Sequence, residues 1–304
     1  MNKIPNSDSN LNSNPRPSFG IILLDKRGDS LSSNTAMQRI RKGLKIKKMG
    51  HTGTLDPLAT GMLPLCFGKA TQLCSYFLDG SKTYQTRIAL GQQRSTGDLE
   101  GEVINTQPIP ELDKNKLDKI LLNFLGKQSQ IPPMYSALKK DGKALYQLAR
   151  EGIEIEREPR EIEIYQIDLK EFGSDYLDLM ISCSKGTYIR TLGEDISKAL
   201  GTVGHLSSLR RIACGPWREE QMHTEEQILA NPEKYILTLE QALDWPVIEI
   251  SKQEFDFLLQ GKSPKISIPK DISGHLFLKS EGNIIGFGEA QQGKLCWRKF
   301  LVTD

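Results

Sequence analysis

Met49-Gly50-His51-Thr52-Gly53-Thr54-Leu55-Asp56-Pro57-Leu58-Ala59-Thr60-Gly61 is the stretch on which the reading of this chain turns. Three glycines, three threonines, one histidine and one proline surround a single carboxylate, Asp56. That mixture suits neither a regular helix nor a central strand. The glycines supply backbone freedom, Pro57 fixes its own φ, and the residue before a proline is pushed towards extended backbone. Asp56 is therefore expected on a shaped loop, held in one orientation. Directly after it the chain turns apolar through Met62, Leu63, Leu65, Cys66 and Phe67, which would anchor the loop to a core.

Three readings of the loop are open on these residues. Asp56 can be a turn residue that bonds nearby backbone amides. The loop can be a phosphate cradle, but the spacing speaks against it: Gly68-Lys69 is followed by Ala70, and no Gly-x-Gly-x-x-Gly occurs. Asp56 can also be a catalytic acid. The apolar anchor and a basic run on the other flank favour that third reading. The run is Arg39, Arg41, Lys42, Lys45, Lys47 and Lys48, and no acid occurs from Ser30 to Leu55. It is either a solvated helix face or a surface that contacts phosphates.

A chain of 304 residues suits one large domain and a small one. Apolar content of 38% and charged content of 26% fit an ordinary globular protein. The five cysteines are odd in number and lack Cys-x-x-Cys spacing, which points to reduced thiols in a cytoplasmic protein rather than disulfides or zinc. The four histidines, 51, 205, 223 and 275, are too dispersed for a local metal motif. No apolar run approaches the ~20 residues of a membrane span, and no signal peptide is read. Net charge is only +2, so any nucleic-acid partner is announced by the placement of charge and not by its sum.

Residues 1–17, rich in Asn, Ser and Pro, read as a disordered tail. Phe19–Leu24 reads as a buried strand, Ser33–Lys42 as a helix and Thr71–Leu78 as another. Lys82–Leu90 alternates, with Tyr84, Thr86, Ile88 and Leu90 on one face. Lys116–Leu125 has the spacing of an amphipathic helix, and Lys139–Arg150 reads as a basic helix. Ile153–Leu169 and Tyr176–Ser184 alternate like strands, and Ile189, Leu192, Ile196 and Leu200 follow helical spacing. That spacing places Arg190 off the buried stripe. From about Trp245 short β-like runs and one helix, Lys252–Leu259, indicate a second, small β-rich unit.

Gly50–Gly61 resembles the signature of the bacterial TruB family of tRNA pseudouridine-55 synthases, with further matches at Ile131–Lys139, Gly186–Leu192 and Leu209–Arg211. The similarity runs from about Phe19 to the end of the chain. It implies an α+β fold of the pseudouridine synthase type, with a mixed, largely antiparallel sheet over residues 18–243. A C-terminal β-rich, PUA-like RNA-binding domain is implied for 244–304. The implied activity is isomerisation of the T-loop uridine in the T-arm stem-loop of tRNA. The N1–C1′ bond breaks, the base rotates, and C5 bonds to C1′, which needs no cofactor and no metal. Asp56 matches the catalytic carboxylate, for which attack on C1′, addition to C6 and formation of a glycal all remain open. Arg190 matches an arginine that faces it, and Tyr84 a tyrosine lying against the target base. Tyr188 and Leu209 match residues of the uracil pocket, and His51 matches a histidine that enters the T loop. Each also has a plain structural reading: core packing for Tyr84, Tyr188 and Leu209, a turn for His51, a solvated helix start for Arg190. A monomer is expected. A pseudouridine synthase acting on another RNA and a noncatalytic tRNA chaperone are the competing readings. Two departures from the family pattern, Lys26-Arg27-Gly28-Asp29 in place of Lys-Pro-x-Gly and Gln72 in place of a basic residue, bear on RNA contacts rather than on the chemistry.

Overall fold

The structure is a computed structural model and describes residues 17–262 and 264–301. The expected disordered tail lies, but for its last residue, outside them. The chain runs β1 (Gly20–Lys26), α1 (Ser33–Gly43), β2 (Met49–His51), β3 (Thr60–Phe67), α2 (Cys74–Leu78), β4 (Lys82–Leu90), β5 (Gln92–Arg94), β6 (Val103–Thr106), α3 (Lys114–Leu122) and β7 (Gly126–Gln130). It continues through β8 (Lys139–Lys140), β9 (Lys143–Ala144), α4 (Leu145–Arg150), β10 (Arg160–Phe172), β11 (Tyr176–Cys183), α5 (Ile189–Ala199), β12 (Gly204–Cys214) and β13 (Trp217–Arg218). After α6 (Glu225–Ala230), α7 (Pro232–Tyr235), β14 (Ile236–Leu237) and α8 (Leu239–Ala242) come β15 (Val247–Glu249), α9 (Lys252–Leu259), β16 (Gly274–Ser280), β17 (Asn283–Gln291) and β18 (Lys294–Phe300).

One sheet in the order β14-β1-β3-β12-β4-β11-β10-β7 forms the body, with β2 on β3 and β13 on β12. It is mixed as expected: β12 meets β3 in parallel, and every other named pairing within it is antiparallel. The alternation of β1 explains its depth. Ile22 and Leu24 enter the core shared with α1 and α5, while Ile21 and Leu23 enter a second core on the opposite face. Helix α1 buries Ala36, Met37 and Ile40, and the Ser32 hydroxyl caps it by accepting from the Thr35 amide.

Pro64 lies inside β3, in the middle of the sheet. Its carbonyl accepts from the Thr52 amide, on the side where β12 pairs only at Thr60 and Gly61 and β2 only at Leu65 to Phe67. The missing proline N–H therefore faces a gap in the ladder and costs no strand hydrogen bond.

The structure revises several sequence expectations. Lys139–Arg150 is not one helix: β8 and β9 form a hairpin before α4 begins. Its turn holds Asp141 at φ 51° and Gly142 at φ 84°, the left-handed pair that an Asp-Gly turn supplies. Gly68–Leu73 is a 3₁₀ turn leading into α2, so the expected helix there is shorter. Helix α3 starts at Lys114 because the Asp113 carboxylate caps the Lys116 amide. Strands β7 and β12 had no periodic signal, since β7 is polar and β12 interrupts its apolar residues with Ser207-Ser208 and Arg210-Arg211.

The second sheet, in the order β15-β16-β17-β18, covers α9 with one face through Leu258, Leu276, Leu278 and Ile285. Phe277, Phe287 and Leu301 point the other way, into the core that holds Phe77 and Trp217 of the body. Tyr76, Trp245 and His275 pack edge-on and tilted beside them.

Candidate active site

The Asp56 loop joins β2 to β3 and is fixed at four places. Asp56-Pro57-Leu58-Ala59 is a β-turn closed by the Ala59 amide on the Asp56 carbonyl at 3.0 Å, with proline at its second position. Lys26, 1% exposed, donates to the carbonyls of Ala59 at 2.7 Å, Pro57 at 3.0 Å and Arg27 at 2.9 Å. Ser33, the first residue of α1, accepts from the Leu55 amide at 2.8 Å and donates to the Leu55 carbonyl at 2.9 Å. Gly61, at φ 93°, lets β3 pass β12: a Cβ there would stand 2.3 Å from the Arg211 carbonyl oxygen.

Asp56 faces Arg190 as expected. Nε lies 2.9 Å from one carboxylate oxygen and Nη2 donates to the other at 3.2 Å. Arg190 is 4% exposed, which sets aside the alternative of a solvated helix start. Its position at the start of α5 turns the side chain inward, and its cost of burial is offset by partners. It reaches the carbonyls of Thr96 and Tyr135, both at 2.7 Å, and lies 3.7 Å from Asp98. Asp98 is a second buried carboxylate of this site that sequence reasoning missed. Its one signal was a place in the polar Ser95–Gly101 turn, where an Asp ordinarily means only a turn.

About a third of the Asp56 side-chain surface (31%) is accessible although protein surrounds it on most sides. Burial pushes its carboxyl above the ordinary range; Arg190 and Lys26 pull it back, and Asp98 pushes it further up. Burial drops the Lys26 ammonium to about 8, against the pull of Asp56.

The remaining expected residues gather in two groups. Tyr188 caps α5, where the Gln130 side chain grips its main chain from both sides: Oε1 accepts from the Tyr188 amide at 2.8 Å and Nε2 donates to its carbonyl at 3.1 Å. Burial raises the Tyr188 hydroxyl; the Asp56 charge raises it further and the Arg190 charge lowers it. Tyr84, half-buried on β4, is paired with Ile181 of β11 and Arg211 of β12. Burial pushes its hydroxyl up to about 12, against the pull of the Arg211 charge. His51 ends β2 opposite Leu65; burial and the Arg211 charge lower its imidazole, and its buried Nδ1 has no hydrogen-bond partner among the described residues. Leu209 is 8% exposed, in the large core opposite Thr86, where it makes a wall and no polar contact.

The basic run divides in two. Arg39 pairs with Glu225, and Arg41 bonds Gln38 and the Lys47 carbonyl. Lys45, Lys47 and Lys48 are exposed and lack a carboxylate within 4.0 Å among the described residues. They rim a depression of about 370 Å³ floored by Phe67 and Ile236. The departures also find places. Arg27 reaches Glu225 and Glu226, Asp29 and Ser30 take left-handed φ of 46° and 51° in the extra turn, and Gln72 donates to the Phe300 carbonyl of the second sheet.

Such a site can hold an ionised carboxylate against a ribose or base while an aromatic ring flanks it. No cluster of three or more His, Cys, Asp or Glu stands close enough to hold a metal among the described residues. Residues 41–189 match the family model "TruB family pseudouridylate synthase (N terminal domain)" and residues 190–247 the model "tRNA pseudouridylate synthase B C-terminal domain". The chain is 43% identical to the tRNA pseudouridine synthase B of Dechloromonas aromatica (strain RCB), over 93% of this chain and 95% of that one. It is 40% identical to the protein of that name from Coxiella burnetii, over 90% and 91%. Its fold matches a chain in a crystal structure of a Cbf5-Nop10-Gar1 complex with a TM-score of 0.71 at 23% identity, covering 97% of this chain and 92% of that one. The chain belongs to the TruB family of pseudouridylate synthases, and is an isomerase.

Proposed function

We propose that this enzyme converts the T-loop uridine of tRNA to pseudouridine, with Asp56 as the catalytic carboxylate. The observation that carries the reading is the Asp56–Arg190 pair, set on a loop that Lys26 and Ser33 hold from below. Arg190 keeps one carboxylate orientation and stabilises its ionised form. The ionised oxygen attacks, or takes a proton from, the nucleotide that is flipped out of its stack, and Tyr84 and Tyr188 flank the base. When N1–C1′ breaks, its electron pair stays on the base. The base turns, C5 bonds to C1′, the C5 proton is lost and N1 gains one, so atoms and charge balance without an outside reactant. His51 fills the space in the T loop, the exposed lysines lie along phosphates, and the second sheet acts as a PUA-like module on the acceptor-stem side. The protein works as a cytoplasmic monomer.

The test is base-resolved mapping of pseudouridine in tRNA treated with the purified protein. A single new pseudouridine in the T loop, absent with Asp56→Asn, is expected. Modification only at other RNA sites, or tRNA binding with no product, would replace this reading by one of its competitors.

A further inference from the structure

Strand β7, Gly-Lys-Gln-Ser-Gln, is polar and lies at the edge of the large sheet, and the one residue it buries is Gln130 at its end, 5% exposed. A buried amide is costly unless both of its ends are bonded. Here both ends go to a single residue across 58 positions of sequence: Oε1 accepts from the Tyr188 amide at 2.8 Å and Nε2 donates to the Tyr188 carbonyl at 3.1 Å. The carboxamide thus takes the place of a neighbouring strand. It holds Tyr188 in extended backbone, φ −94° and ψ 107°, directly before α5, where the tyrosine side chain supplies no cap of its own. Satisfying an open amide at a helix start needs only an acceptor, which a Ser or Asp at that position would give locally. Gripping the donor and the acceptor of one residue together also fixes where that residue stands.

Arg190, the second residue of α5, ties the same two segments in the opposite sense. Its Nη2 donates to the Tyr135 carbonyl at 2.7 Å, further along the chain from Gln130, while the guanidinium also meets Asp56. Between the two ties lie Pro132 and Pro133, which have no N–H with which to fasten themselves. The stretch after β7 and the start of α5 are therefore stitched side chain to main chain in both directions. One stitch places the main chain that carries Arg190; the other places Arg190 itself.

We propose that Gln130 is a positioning residue of the reaction: by gripping the main chain of Tyr188 it sets the place and angle at which Arg190 meets Asp56. The inference rests on the uridine-isomerase reading above. A guanidinium aims a carboxylate only when its own backbone is fixed, and a misplacement on the order of an ångström costs about 100-fold in rate.

The experiment uses the full chain and two variants. Gln130→Met keeps the length of the side chain and loses both bonds; Gln130→Asn keeps the amide on a stem one methylene shorter. For each, single-turnover conversion of a T-arm stem-loop RNA at saturating protein is followed against pH, RNA affinity is measured, and a thermal melt verifies folding. Gln130→Met is expected to slow conversion about 30-fold and Gln130→Asn about 10-fold, with affinity held within about threefold. Arg190 pulls the Asp56 carboxyl down, so a loosened contact lets it rise, and the midpoint of the acid limb should move up by about half a pH unit. If Gln130→Met fails to fold, Gln130→Asn carries the same comparison. A residue that serves folding alone would lower the melting temperature and leave the saturated rate and the midpoint at their wild-type values. That result overturns the proposal, as does slowing without a shift of the midpoint, or a loss of affinity with the saturated rate unchanged. A wild-type protein that leaves the uridine unaltered overturns the isomerase reading itself, and this proposal with it.

Discussion

At the scale of the residue, Asp56 is held between opposing pulls. Burial and Asp98 favour its protonated form, and Arg190 and Lys26 its ionised form. Asp56→Asn removes the carboxylate proposed to act on C1′ or C6, while the lysines remain, so turnover should vanish with RNA affinity nearly unchanged. Substantial product from pure mutant protein would remove Asp56 from the chemistry. A pH profile tests the environment. With the ionised carboxylate as the proposed working form, the acid limb of the single-turnover rate should have its midpoint above the ordinary carboxyl value of 3.8, because burial raises the Asp56 pKa. Asp98→Asn deletes a negative neighbour and should move that midpoint down; a midpoint that stays or rises would mean that Asp98 does not act on Asp56 through charge. Lys26→Met should slow conversion roughly 100-fold, since its bonds to the Pro57 and Ala59 carbonyls hold the loop within about an ångström of its working place. Asp56, His51 and Arg190 stood out as candidates because they lie in short signatures, and Tyr84 as a family match on an alternating strand. Asp98, Ser33, Gln130 and the grip of Lys26 on Pro57 and Ala59 did not, because each acts across a large sequence separation that no local pattern encodes.

At the scale of the element, the strands with one wet face and the capped helices could be read from period and caps: β4 and α9 have their expected bounds. Central β12 was invisible because it carries chemistry on both faces. Ser208 bonds the Thr86 hydroxyl and the Arg87 amide, while Arg210 and Arg211 spend long polar side chains on β1 and β3. The β8–β9 hairpin was lost to a basic run that looked helical, although Asp141-Gly142 was a turn signal in plain view. The basic run before the Asp56 loop is narrowed by the structure to cations that other side chains leave unneutralised. Replacing Lys45, Lys47 and Lys48 by Gln should weaken tRNA binding and lower the slope of log affinity against log salt by about 2–3, since each phosphate contact contributes roughly 0.7–0.9. An unaltered slope would return these three lysines to a solvated face.

At the scale of the whole molecule, the two sheets are less separate than the change of pattern at Trp245 suggests. The β-rich unit has a core of its own around Leu276 and Leu278, yet Phe277 and Phe287 are fully buried in the second core of the body, with Phe77, Trp217 and Met222. Both faces of β16 and β17 are apolar and buried, although the sequence marks them only as short β-like runs. What covers the second face depends on tertiary contact, which periodicity does not carry. A shared buried cluster couples the units thermodynamically: neither can unfold without exposing apolar surface of the other. The intact chain should therefore melt in one calorimetric transition. Phe287→Ala should lower the transition of the whole chain, by on the order of 10 °C, because losing a buried phenylalanine costs about 3–5 kcal/mol and each kcal/mol is worth about 2–4 °C at this size. The converse applies to a chain cut before residue 244. Its body would present the face of Phe77 and Trp217 to water, so it should bind a hydrophobic dye and melt well below the full chain, even though every residue assigned to the chemistry precedes the cut. Two resolved transitions in the full chain, with Phe287→Ala shifting only the lower one, would instead mean that the second sheet is a module docked without shared stability.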